Sequence, residues 1–530
     1  MLTSALKRRK PENPEEAAPW LSILAGDKDK AIASLASKLI KQWGIDAGAL
    51  LVEKTEVKGL WQKTPPVWQV PPFKQFSIQR DSRGMIIPEE LTELASKISK
   101  YSFYNFTTVH DITAERFLAI ANAIAYEDPE AVRSGLAGLR SDGNWSSLPS
   151  FLLCWIEGRK PIWGFDNKER TKDSLDARDY MITVNLGKQP CVLSTPSKDD
   201  LSITVSDLVS RLALYKKTNA NVLEADLFLA LTRLDVKTKT NEDTAALQKL
   251  DMPVFLQSGE KMYVTAGEAV YTYLDTPVRE PSLEDSKNWR PNPGPAYERK
   301  EFNGKAFSEA FFFGSASFRG FPNRFTGFQK ELYSIFPLWG DAALRAVSIK
   351  WDTEFYHEKG LVLRQVARRA APLPPGAAIN FLAAQRSSTS DAAEDSSLAV
   401  REAWERGLLR PGVADVALLD WSDSPPQKLV ALVSALEDIA SGGMLSVVWP
   451  VLDDLISVSL KAPKLLAGTL ELAGLIETFL PEAQFAVENG LAGKNSLDLP
   501  GIRKLAERGG SSLAVSIAQK IILRLSDFSR

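Results

Sequence analysis

Between residues 424 and 525 one amphipathic segment follows another with only short Gly, Pro or Ser punctuation, and this run narrows the available architectures more than any other feature. Leu429, Leu432, Val433, Leu436 and Ala440 fall at i, i+3, i+4, i+7 and i+11, which is one stripe of an α-helix. Leu472, Leu475, Ile476, Phe479 and Leu480 form the next stripe, and Leu513, Ile517, Ile521 and Leu525 step by fours. A helix that is apolar on one side must hide that side against a neighbour, so the run predicts stacked helices. Segment starts near Pro425, Met444, Pro463 and Glu482 are about 19 residues apart, giving ~38 residues per helix pair, close to the ~40 of HEAT-type repeats. Pro450 interrupts the second segment and is a candidate first-turn residue. The expected fold is all-α: an α-solenoid of HEAT-like helical hairpins, preceded by a less regular helical N-terminal half with minor β-hairpin content.

The N-terminal half signals helices through their caps. Asn13 before Pro14, Glu15 and Glu16 reads as a helix start. Ile32, Leu35, Ala36, Leu39, Ile40 and Trp43 then form a clean stripe ended by Gly44, so the two segments predict a helical hairpin. Residues 61–88 are rich in Pro and aromatic side chains, which excludes regular helix and predicts an extended segment packed on the helices. Helical patterns resume over residues 88–102, 113–126, 128–140, 148–157, 206–215 and 221–234. Residues 180–186 read as strand, and residues 254–264 as a hairpin about Ser258 and Gly259. Helix is expected again near residues 329–350, whereas residues 386–397 read as a loop. Turn-rich stretches at residues 288–295 and 371–376 divide the chain into an N-terminal helical domain (1–287), a Pro/Gly/Phe-rich connecting segment with helix (288–370) and a C-terminal HEAT-like domain (371–530).

The side-chain inventory excludes much chemistry. The chain has two histidines, His110 and His357, so the commonest general base and metal ligand are scarce. His110, among Phe103, Tyr104 and Phe106, reads as a hydrogen-bonded structural residue; His357, beside Glu354 and Glu358, lacks the second His or Cys that a zinc site needs. Cys154 lies within an apolar run and reads as a buried thiol. The sequence has no phosphate loop, HExxH, paired CxxC or GxSxG elbow, and no GxGxxG after a strand pattern. Asp453 and Asp454 read as a solvated face, because adjacent helical residues point about 100° apart. No catalytic residue, cofactor or metal is expected. The basic N-terminal residues lack the apolar segment of a signal peptide, and no apolar run approaches a membrane span, which points to a cytoplasmic protein without a membrane partner.

Nine of the 24 phenylalanines lie between residues 302 and 328, interleaved with glycines. One reading is a loop whose rings plug a groove between helical units; the other is a partner-binding element anchored by Phe311, Phe312, Phe313, Phe318, Arg319, Phe321, Arg324 and Phe325. Arg364, Arg368 and Arg369 form a second basic cluster. Since 64 Lys and Arg nearly cancel 66 Asp and Glu, a nucleic-acid-binding helical repeat, of the kind used in DNA repair, stands as the alternative to a protein-binding scaffold.

The stretches Ala403-Trp404-Glu405-Arg406-Gly407-Leu408-Leu409, Leu419-Asp420-Trp421 and Gly443-Met444-Leu445-Ser446-Val447-Val448-Trp449-Pro450-Val451-Leu452 resemble a family of large bacterial helical-repeat proteins of unknown function. The closing Leu499-Pro500-Gly501-Ile502-Arg503-Lys504-Leu505-Ala506-Glu507-Arg508-Gly509-Gly510-Ser511-Ser512 extends the likeness. Genes of that family lie near those for MoxR-type AAA ATPases, von Willebrand A-domain proteins and SWIM zinc-finger proteins. The resemblance therefore implies a non-catalytic accessory subunit or scaffold, with an AAA ATPase and a von Willebrand A-domain protein as its partners.

Overall fold

The computed structural model describes residues 21, 30–43, 58–102, 109–140, 147–159, 174–255, 261–275, 277, 333–339, 356–383, 390–418, 427–508 and 512–528. The chain is mostly helical there, with short strands confined to residues 203–265. In order, the N-terminal elements are α1 (Lys30–Trp43), α2 (Glu89–Ser102), α3 (Ile112–Glu127), α4 (Pro129–Gly135), α5 (Leu148–Ile156), α6 (Ser174–Val184), β1 (Ile203–Thr204), α7 (Val205–Thr218), β2 (Val222–Leu223), α8 (Glu224–Thr232), β3 (Leu234–Asp235), α9 (Asn241–Leu247), β4 (Pro253–Phe255), β5 (Lys261–Thr265) and α10 (Ala266–Asp275). There follow α11 (Tyr356–Val366), α12 (Pro375–Ala383), α13 (Ser390–Glu405), α14 (Gln427–Ser441), α15 (Leu445–Ser459), α16 (Thr469–Glu488), α17 (Pro500–Glu507) and α18 (Leu513–Phe528).

Helix starts follow the capping chemistry of the sequence. Asp111 caps α3 through Thr113 N and Ala114 N, and Asp128 both closes α3 and caps α4 ahead of Pro129. Thr240 and Asp243 form a reciprocal capping box on α9. β1 pairs parallel with β3, while β2 pairs parallel with β4 and β4 antiparallel with β5. The hairpin expected over residues 254–264 is thus present as β4 and β5, its tip lying outside the described residues.

Two large apolar cores organise these elements. The first gathers α2 to α10, with Phe117, Leu152, Leu208, Leu227 and Val254 at its centre. The second gathers α11 to α18, with Phe381, Trp449, Leu452, Ile476 and Ile502. A small third cluster holds Leu21 with Ala36, Leu39 and Trp43 of α1. Residues 333–339 lie where the large cores meet: Tyr333 belongs to the second and Ile335 to the first.

In the second core, consecutive helices pack as pairs (α14 on α15, α15 on α16, α17 on α18), and next-but-one helices pack side by side. That places α12, α14, α16 and α18 in one row, with α15 and α17 in another. The expected register needs correction. Successive helices begin at residues 427, 445, 469, 500 and 513, so the interval is not constant near 19. Glu482 starts no helix; α16 runs through Pro481, as α15 runs through Pro450.

Three further expectations fail. Residues 180–184 are helical, the end of α6, because α6 lies between α5 and α8 and buries Met181, Ile182 and Thr183 in succession. The expected loop at 386–397 is helix from Ser390 onward. In α18 the buried stripe is Ala514, Val515, Ala518, Ile521 and Leu525, and Leu513 is 62% exposed. Of the helix expected over 329–350, the described part is one turn at residues 333–335.

Candidate functional site

The densest polar constellation lies inside the first core. Glu115 of α3 accepts from both Arg178 nitrogens of α6, Oε2 from Nη1 at 2.8 Å and Oε1 from Nη2 at 3.0 Å. Its Oε1 also accepts from Arg233 Nη2, just past α8, at 2.9 Å. Arg178 Nε lies 2.9 Å from Asp179 Oδ1. Arg233 reaches further, donating from Nη1 to Ser194 O at 3.0 Å and from Nε to Ser334 O at 2.7 Å. Glu115, Arg178, Asp179 and Arg233 are each 1% exposed or less. The fork geometry suits a guanidinium, and two cations balance two anions, which is the condition for burying them at all.

His110 joins this network. Arg178 Nη2 is 3.3 Å from His110 Nδ1, and a guanidinium only donates, so Nδ1 accepts and Nε2 carries the hydrogen, facing Asp179 Oδ2 at 3.8 Å. Burial, followed by the Arg178 charge, lowers the His110 pKa to about 3, so the ring is neutral near pH 7. Glu115 is held well below the usual carboxylate range: burial opposes ionisation, but Arg178 and Arg233 together outweigh it. The expected structural histidine is what the geometry shows. Asp226 in α8 accepts from Leu193 N at 2.7 Å and Ser194 N at 3.0 Å, fixing the loop that supplies Ser194. Cys154 is buried, as expected, and burial pushes the Cys191 thiol up to about 12, leaving no thiolate for nucleophilic attack.

A second constellation joins the two cores. Arg368 pairs with Asp199 at 2.9 Å, Gln365 Nε2 donates to Asp199 O at 3.1 Å, and Ile112 N donates to Gln365 Oε1 at 2.9 Å. Arg364 pairs with Asp395 and Glu402, and Arg406 with Glu402. The basic cluster singled out for nucleic acid therefore spends Arg364 and Arg368 on internal ion pairs, while the Arg369 carbonyl accepts from Trp68 Nε1 at 2.8 Å. A shallow cleft with room for about one water lies on this seam, lined by Asp200, Tyr333, Phe336, Trp339, Gln365 and Arg369. Phe336 and Trp339 stack 3.8 Å apart, and Asp200 turns back to its own loop, accepting from Ser202 N and Oγ at 3.0 and 2.6 Å.

Across both cores runs the extended strap expected from the Pro-rich sequence. Trp61 bridges to Met444 and sets its ring edge-on to Trp449, with centroids 6.4 Å apart. Trp68 N donates to Arg406 O at 2.9 Å, and the Arg406 guanidinium lies 4.3 Å from the Trp68 ring centroid. Further on, Phe73 N donates to Ser197 O at 2.8 Å, Asp199 N to Pro71 O at 3.1 Å, and Arg116 lies over the Phe73 and Phe76 rings.

Phe311, Phe312, Phe313, Phe318, Arg319, Phe321, Arg324 and Phe325 all lie outside the described residues, as does Glu354. Asp453 corrects the expectation of a solvated pair: it is 4% exposed, and its Oδ2 and Oδ1 accept from Gly501 N and Ile502 N at 2.8 Å each, capping α17 from α15. Asp454 is the exposed member. Among the described residues no group of three or more His, Cys, Asp or Glu is placed to hold a metal ion, and no helix is long and apolar enough to cross a membrane. No known protein family, curated protein or solved structure matches the chain.

Proposed function

We propose that the chain is a non-catalytic protein-binding scaffold or accessory subunit whose C-terminal helices form a HEAT-like α-solenoid. One observation carries this reading: among the described residues, His110, Glu115, Arg178, Asp179, Arg233 and Asp453, groups that chemistry would draw on, are buried and committed to internal partners. The two-row packing of α14 to α18 supports the solenoid, since stacked helix pairs expose long faces to a partner. The row formed by α14, α16 and α18 exposes Val430, Leu470, Leu513 and Leu523, apolar side chains of the kind that anchor a protein interface. Pairing of Arg364 and Arg368 within the chain lowers the net positive charge of the cluster that favoured nucleic acid.

The resemblance at residues 403–512 nominates the partners: a MoxR-type AAA ATPase and a von Willebrand A-domain protein, in the cytoplasm. Tagged full-length protein, cross-linked in its native host and purified, should recover such an ATPase or adaptor. Leu470→Glu with Leu523→Glu, both at exposed positions, should reduce that recovery by about tenfold or more while the melting temperature stays within a few degrees. Recovery of no such protein, or turnover of generic phosphate, ester or peptide substrates by the purified chain, would overturn the reading.

A further inference from the structure

The C-terminal helices carry a groove whose present occupant belongs to the same chain. Residues 58–68 lie in it as an extended segment; Trp61 is buried, whereas Gln62, Lys63 and Pro66 face solvent. We propose that this groove is a recognition site for extended, proline-containing segments of a partner protein with two tryptophans seven residues apart, and that residues 58–68 fill it in cis. The inference rests on the reading of the chain as a binding protein, and it specifies the chemistry of the bound segment.

The polar contacts are directed at main chain, which is how a groove captures an extended peptide irrespective of tether. The two carboxylate oxygens of buried Glu482 accept from Lys58 N and from Leu60 N, the latter at 3.0 Å. Leu445 N donates to Leu60 O at 3.3 Å, and Arg406 O accepts from Trp68 N. Specificity comes from two indole sites. Trp61 enters the second core against Met444 and Trp449; Trp68 is held between the Arg406 guanidinium and the Arg369 carbonyl. Between these sites the floor is glycine. Gly443 and Gly407 have φ of +93° and +68°; a Cβ on Gly407 would strike the Pro65 and Pro66 carbonyls, whereas one on Gly443 would meet only the flexible end of the Gln62 side chain. These are features of a site shaped around a bound backbone. A tethered occupant competes at an effective concentration on the order of millimolar, so the strap sets the threshold that a partner segment must exceed.

The test uses full-length protein and a fluorescein-labelled synthetic peptide of residues 58–70, followed by fluorescence polarisation. Protein carrying Trp61→Ala and Trp68→Ala should bind the peptide at least about tenfold more tightly than wild type, whose groove is filled. A peptide carrying the same two substitutions should bind neither protein. Because Trp61 is a core residue, Trp68→Ala alone, at a half-buried position, serves if the double variant does not fold; it should bind the peptide more tightly than wild type. Equal binding to wild type and variant, binding that ignores the tryptophans, or no binding to a folded variant overturns the proposal. Recovery of the ATPase by wild type without peptide binding would retain the scaffold reading and discard this one, and the reverse pattern would do the opposite.

Discussion

At the scale of single residues, the chain's charges are decided by burial. Glu115 neutralises Arg178 and Arg233 in a site with 1% exposure or less, so removing it strands two cations. Glu115→Gln should cost about 3–5 kcal/mol of unfolding free energy, measured by urea titration, because breaking a buried ion network costs far more than the intact network contributes. His110 supplies a pH signature. Its pKa falls from an ordinary 6.5 to about 3 on folding, so between those values the unfolded chain binds more protons than the folded one. Its contribution is fully present above pH 6.5 and is lost as the pH falls toward 3. Buried Asp200 and Asp226, whose pKa values are raised by desolvation, act in the opposite sense, so the clean readout is a difference. The stability of wild type relative to His110→Asn should fall by up to ~1.4 kcal/mol per pH unit below 6.5. A flat difference would mean that the ring is solvated.

At the scale of elements, glycines separate strain from contact. Gly407 and Gly412 share a left-handed backbone, with φ of +68° and +71°, yet only at Gly407 would a Cβ meet neighbouring atoms, the Pro65 and Pro66 carbonyls. Gly412→Ala should cost about 1 kcal/mol for the backbone alone, and Gly407→Ala about 2–3 kcal/mol, the excess reporting the strap. Differential scanning calorimetry of the pair checks this; equal shifts would argue that the strap is loose. The same scale explains what the sequence disclosed. Helices with one wet face, such as α1 and α14, were legible from their stripes, and the strap from its prolines. Helix α6 was not, because Met181, Ile182 and Thr183 are all buried and a helix covered on several sides loses its 3.6-residue rhythm. Nor was the charge network: Glu115 meets Arg178 across 63 positions and Arg233 across 118, and no local pattern records such pairs. Asp453 misled for a related reason, since its partners, the amides of Gly501 and Ile502, are 48 and 49 positions away.

At the scale of the molecule, a strap and an ionic seam are among the described contacts that tie the two cores. The strap engages the second core through Trp61 and Trp68 and the first through Phe73; Arg368 with Asp199 and Gln365 with Ile112 close the seam beside it. Hydrogen exchange read by mass spectrometry along a urea series tests that claim directly, because it follows α3, α6 and α8 of the first core and α14 to α16 of the second separately. Wild type should lose protection in both cores at the same urea concentration, and Trp61→Ala should split the transition, with the second core opening first. Two separate transitions in wild type, or a single transition unchanged by Trp61→Ala, would contradict the account.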